Sequence, residues 1–149
     1  MLNELFSRFD ELAERHGLEK IKTIGDAYMV AGGLPEAAGD HARRVAQMAL
    51  DMRAAVAEKR AASGLPLELR IGIHSGPVIA GIIGVKKFSY DLWGDTVNTA
   101  SRMESHGEPG RIHVSESTRV LLGESHRFSD RGESLIKGKG KMRTFFLEE

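Results

Sequence analysis

The stretch Glu19-Lys-Ile-Lys-Thr-Ile24, Gly25-Asp26, Ala27-Tyr-Met-Val-Ala31 sets two β-prone runs about a Gly-Asp pair. It predicts a tight hairpin, with Gly25 at the type II′ position that needs a positive φ and Asp26 at the exposed tip. Alternation along the first run puts Lys20, Lys22 and Ile24 on one strand face. Upstream, Leu2, Leu5, Phe6, Phe9 and Leu12 recur at helical spacing from Met1 to His16, and Gly17 suits a left-handed cap. Downstream, Gly32, Gly33 and Pro35 make a loop, and Asp40 is placed to cap a long helix to about Ala62. Gly64 and Pro66 stop that helix, after which Leu67, Leu69, Ile71 and Ile73 alternate as a half-buried strand.

Pro77 to Ile83 and Lys87 to Trp93 read as a second hairpin. Asp95 is placed to cap a helix carrying Val97, Ala100 and Met103, and Arg111 to Val114 reads as a strand. Ser115 caps a short helix ending at Gly123, and two strands surround Gly138-Lys-Gly140. Helices, hairpins and strands in this order predict an α+β domain, with helices packed on a mostly antiparallel sheet. No repeat or linker divides it.

The chain has 149 residues, 41% hydrophobic and 28% charged, a balance ordinary for one folded domain. Twenty-one basic residues offset 21 acidic ones, so no basic field points to nucleic acid or to membrane contact. The absence of cysteine excludes disulfides, thiolate metal sites and cysteine nucleophiles. No run approaches the ~20 apolar residues of a membrane span, which reads as a cytoplasmic chain or the cytoplasmic part of a larger protein. The sequence opens straight into its first helix with no polar lead-in.

Several residues carry possible chemistry, each with a plainer alternative. Gly76-Pro-Val-Ile-Ala-Gly81 has phosphate-loop spacing but continues Ile-Ile, so it reads as glycines for turns and close packing. The six histidines contain no His-x-x-x-His pair, and His74 reads as an ordinary strand histidine. Asp26 at a hairpin tip is a hard oxygen ligand of the kind Mg²⁺ or Mn²⁺ takes, or simply a turn residue. Lys22 is a strand cation, commonly solvated. Asp91, between Tyr90 and Leu92, needs a partner or a function, or flanks a turn. Asn98 and Arg102 share a helix face and could hold a ribose and a phosphate, or lie idle on the surface. Lys137-Gly-Lys-Gly-Lys141 is a cationic turn suited to polyphosphate or to water.

Taken together and in order, these features resemble the catalytic domain of class III adenylate/guanylate cyclases. The matching stretches are Phe6 to Met29 (FSRFDELAERHGLEKIKTIGDAYM), Ile71 to Gly84 (IGIHSGPVIAGIIG), Tyr90 to Met103 (YDLWGDTVNTASRM) and Ile136 to Phe145 (IKGKGKMRTF). The resemblance covers nearly the whole chain and implies a ferredoxin-like, palm-type fold. It implies that Lys22 and Asp91 read the adenine of ATP, that Asn98 orients the ribose, and that Arg102 stabilises charge at the α-phosphate. Lys137 would hold the terminal phosphates, and Asp26 would be the second of two metal aspartates serving two Mg²⁺ or Mn²⁺ ions.

The implied reaction converts ATP to 3′,5′-cyclic AMP and pyrophosphate at the interface of a homodimer. In the family, the first metal aspartate lies on a strand of Phe-x-Asp-Ile-x-Gly-Phe type, and no such segment precedes Met1. Residues 1–149 are therefore expected to be a partial catalytic domain lacking its first strand, with weak or no activity alone. The alternative is a cyclase-like module that binds nucleotide or dimerises without turnover.

Overall fold

Strands β1 (Glu19–Ile24) and β2 (Ala27–Ala31) pair antiparallel in the computed structural model, which describes residues 2–34, 39–83 and 89–149. Gly25 has φ 59°, and no described non-glycine residue has a positive φ. Asp26 is therefore not left-handed, which excludes a type I′ turn and agrees with type II′. One expectation fails here. Lys20 pairs with Val30 but Lys22 with Met29, so a bulge at Ile21 interrupts the alternation. Val30 and Met29 face opposite sides, so Lys22 is turned away from Lys20 and keeps only Ile24 on its face.

Helix α1 (Leu2–Arg15) ends in a Schellman arrangement: Gly17 has φ 66°, and the Leu18 and Gly17 N–H groups donate to the Ala13 and Glu14 carbonyls. Its buried Phe9, Leu12 and Ala13 pack with Leu18 against Met48, Met52 and Val56 of helix α2 (His41–Ser63). Another face of α2 presents Ala42, Ala46 and Ala49 to Ile73, Ile112, Val114 and Leu147. Small residues toward the sheet and long ones toward α1 let one helix serve two cores. Full burial of a side chain such as Leu12 or Met48 contributes ~1.5–3 kcal/mol.

That sheet runs β3 (Ile71–Ile73), β6 (Ile112–Ser115), β8 (Gly140–Leu147), β7 (Phe128–Ile136). Its β3–β6 pair is parallel and its other pairs are antiparallel. Strand β3 starts later than the alternation from Leu67 predicts. Its partner begins at Ile112, and upstream the Leu69 and Leu67 carbonyls accept from the Gly110 N–H and the Arg60 guanidinium instead. The second hairpin forms from β4 (Ile79–Ile83) and β5 (Ser89–Trp93) as a separate antiparallel pair. Gly84, Lys87 and Phe88 lie outside the described residues.

Helices α3 (Asp95–Ser105) and α4 (Glu116–Leu122) complete the domain. The three expected side-chain caps do not form. Asp40 stands at the start of α2, but its carboxylate accepts from Arg44 Nε at 3.0 Å. Ser115 precedes α4 and bonds to His74 instead. Asp95 lies one residue inside α3, after Gly94 with φ 116°, and its carboxylate pairs with Lys139. No helix among the described residues is long and apolar enough to cross a membrane.

Candidate active site

Helix α3 is held rigidly, and it carries the densest set of candidate residues. Below it, Gly72 of β3 is obligatory: a Cβ there would collide with the backbone of Met103 and Glu104. Met103 is fully buried, and buried Thr99 donates its hydroxyl to the Asp95 carbonyl at 3.0 Å. At the C-terminal end, His113 Nδ1 lies 2.8 Å from the Met103 carbonyl and Nε2 lies 3.2 Å from Arg131. A carbonyl only accepts and a guanidinium only donates, so His113 is neutral with its proton on Nδ1. Burial pushes its pKa below the ordinary imidazole value, and the nearby Arg131 charge lowers it further. Arg131 also donates to the His106 carbonyl, so two carbonyls at the end of α3 have side-chain partners. A bulge between Asp130 and Gly132, with Gly132 at φ 85°, places Arg131 for this contact.

On this fixed helix, Asp95, Asn98 and Arg102, with His106 just past the end, follow a spacing of three, four and four residues. They form one stripe. Asn98 is exposed and Arg102 half-buried. The turn between β7 and β8 lies alongside: the Lys137 N–H donates to His106 Nε2 at 3.4 Å, and the Lys139 ammonium pairs with the Asp95 carboxylate. The Lys137 side chain is exposed. A side-chain amide and a guanidinium thus share one helix face, with an exposed lysine on the turn beside it.

Near this helix, His74 Nδ1 lies 2.7 Å from Ser115 Oγ, and Ser75 and Thr118 hydroxyls meet at 2.8 Å. His74 thereby pins the end of β3 to the start of α4. Desolvation lowers its pKa first, and the Lys139 charge lowers it next.

The remaining candidates sit on the hairpins. Lys22 is half-buried on β1, which packs beside β5. Asp91 occupies β5 opposite Gly81, two residues before the half-exposed Trp93. The bulge at Ile21 separates Lys22 from Lys20, which pairs with Asp10 at 3.1 Å and lies over the Tyr28 ring. Asp26 is exposed at the hairpin tip, and among the described residues no group of three metal-ligating side chains assembles. One carboxylate alone does not make a metal centre. The structure therefore places Asn98 and Arg102 on one helix face with the Lys137 turn against its end, sets the strands of Lys22 and Asp91 side by side, and leaves Asp26 at the hairpin tip. Sequence reasoning missed His106 and Arg131, and it took Asp95 only for a cap and Lys139 only for part of the cationic turn, although the stripe spacing from Asp95 to His106 was there to be read.

Comparison with known proteins is consistent over the whole chain. The family model for the adenylate and guanylate cyclase catalytic domain matches residues 1–149. The chain is 50% identical to the human guanylate cyclase soluble subunit beta-2, covering 99% of this chain and 24% of that protein. It is 47% identical to an adenylate cyclase of Mycobacterium bovis, covering 98% of this chain and 33% of that one. Among solved structures, a guanylate cyclase domain from Catenaria anguillulae in complex with GTP superposes with a TM-score of 0.91 at 42% identity, covering 99% of this chain and 81% of that one. The chain thus spans a third or less of the two whole proteins it matches, in the part they share with it. With the α+β architecture and the α3 site in place, residues 1–149 belong to the adenylate and guanylate cyclase catalytic domain family.

Proposed function

We propose that the chain is part of a catalytic domain that cyclises a nucleoside triphosphate, ATP, to 3′,5′-cyclic AMP with release of pyrophosphate, residues 1–149 alone turning over weakly. The observation that carries this reading is the stripe of Asn98 and Arg102 on a rigid helix beside the Lys137 turn. In the reaction the ribose 3′-oxygen attacks the α-phosphorus of the same molecule, so both reactants arrive already joined. Asn98 orients the ribose for that attack. Arg102 stabilises the charge that builds on the α-phosphate oxygens, and Lys137 holds the departing pyrophosphate.

ATP is assigned over GTP from the chemistry of Lys22 and Asp91. Adenine presents an acceptor at N1 beside a donor at N6, which suits a lysine donor and a carboxylate acceptor. Guanine reverses both. The relatives include guanylate as well as adenylate cyclases, so it is this residue pair, rather than kinship, that supports ATP.

Asp26 is proposed to lend one carboxylate to a divalent Mg²⁺ or Mn²⁺ site. The site is proposed to form between two copies, with Asp26 of one facing Lys22, Asp91, Asn98, Arg102 and Lys137 of the other. Ile24 beside the hairpin tip and Trp93 on β5 are large apolar residues left 64% and 45% exposed, as a dimer contact requires.

A second reading is a module that binds nucleotide without turnover. The isolated position of Asp26 among the described residues favours it. Incubation with Mn²⁺·ATP and chromatography of the products separates the two. Cyclic AMP plus pyrophosphate supports the cyclase; ATP bound but unchanged supports the module.

A further inference from the structure

We propose that Asp95 and Lys139 are positioning residues, whose ion pair fixes the Lys137 turn against α3 at the spacing a triphosphate needs. The proposal rests on the phosphate-binding reading of Lys137, and it concerns two residues that reading leaves without a role.

The basic turn is anchored to both ends of one helix stripe. At the N-terminal end of α3 the Lys139 ammonium pairs with the Asp95 carboxylate. Toward the C-terminal end the Lys137 N–H donates to His106 Nε2 at 3.4 Å. Asn98 and Arg102 lie between these anchors on the same face. The Lys139 N–H closes the turn on the Ile136 carbonyl at 2.9 Å, and Gly138 and Gly140 hold φ 77° and 76°. Glycines give the turn its shape but little stiffness. Without the Asp95 anchor, a turn with a glycine on each side of Lys139 would sample many positions, and the Lys137 ammonium with it.

Lys139 is only 20% exposed and spent on Asp95, whereas Lys137 is exposed. This division separates the cation that holds the turn from the cation that meets ligand. Asp95 is 81% exposed, so its substitution disturbs no packing, and the Lys139 ammonium can reach water along its flexible stem, which should spare the fold.

Charge and geometry predict opposite results for one variant. Asp95→Asn removes a negative charge beside a polyphosphate site and frees a lysine. Electrostatics alone then predicts tighter binding. Positioning predicts weaker binding.

The test is titration of the full chain with inorganic tripolyphosphate by calorimetry, with thermal melts alongside. The expected result is that Asp95→Asn and Lys139→Gln each weaken binding about tenfold, with melting unchanged. Lys139→Arg, which keeps the pair, should bind within about twofold of wild type. Equal or tighter binding by Asp95→Asn overturns the positioning role while leaving the phosphate site standing. Weakening that comes with a collapsed melt also counts against it. A wild-type chain that binds no tripolyphosphate overturns the phosphate-site reading and this proposal with it.

Discussion

Arg102 is the residue on which the chemical reading depends most. Its proposed role is stabilisation of the charge that builds as the ring closes, so Arg102→Ala should lower kcat by about 10²–10³-fold with little change in KM. Steady-state kinetics with ATP measures this, and a KM effect alone would reassign Arg102 to ground-state binding. Lys22 and Asp91 are proposed to carry specificity instead. Lys22→Glu with Asp91→Cys replaces the donor by an acceptor and removes the carboxylate, so the ratio of kcat/KM for GTP over ATP should rise. An unchanged ratio would detach these two residues from base reading. The residue types and their order were legible in the sequence. The separation of Lys22 from Lys20 was not, because a bulge is decided by cross-strand register rather than by local alternation.

Among the elements, α3 and β3 decide whether the site exists. Gly72 allows the two backbones to approach, and no side chain fits between them. Gly72→Ala should therefore destabilise the domain by ~2–3 kcal/mol. Gly39→Ala, where an added Cβ meets nothing within 4 Å, should change stability by less than about 0.5 kcal/mol. Denaturant unfolding of the two variants checks the contrast, and equal effects would contradict the packing account. Helix limits were readable from Gly17 and Gly64, both of which hold the left-handed φ expected of C-caps. The N-terminal caps were not readable. Asp40, Asp95 and Ser115 stand at or beside the right positions, but each finds a stronger partner through tertiary structure. The short β3 was hidden for a similar reason, since its length depends on where β6 begins.

At the scale of the whole molecule, stability should depend on pH through its histidines. His74, His113 and His126 all have pKa values lowered chiefly by burial. The unfolded chain binds these protons near pH 6.5, the folded chain only at lower pH, so the unfolded state holds more protons between the two. Stability therefore rises with pH across that window and is lost as pH falls below about 6.5. Melting temperatures should drop between pH 7 and pH 5, ahead of the carboxylates Asp130 and Glu148, whose lowered pKa values place their loss in more acid solution. A flat profile over pH 7 to 5 would contradict the neutral, doubly bonded His113. The α+β class, the element order and the glycine-based turns were all legible from 149 residues. The network that fixes α3, from His113 through Arg131 to His106, was not, because its members lie far apart in sequence.

In the proposed reaction ATP closes on itself with Arg102 stabilising the charge at its α-phosphate. Its most direct test supplies the chain with Mn²⁺ and either ATP or GTP and quantifies both cyclic nucleotides, with Arg102→Ala in parallel. Cyclic AMP and pyrophosphate are expected in equal amounts, with less product from GTP and loss of product in the variant. Preferential cyclic GMP formation, or as much product from the Arg102→Ala variant as from the unaltered chain, would contradict it.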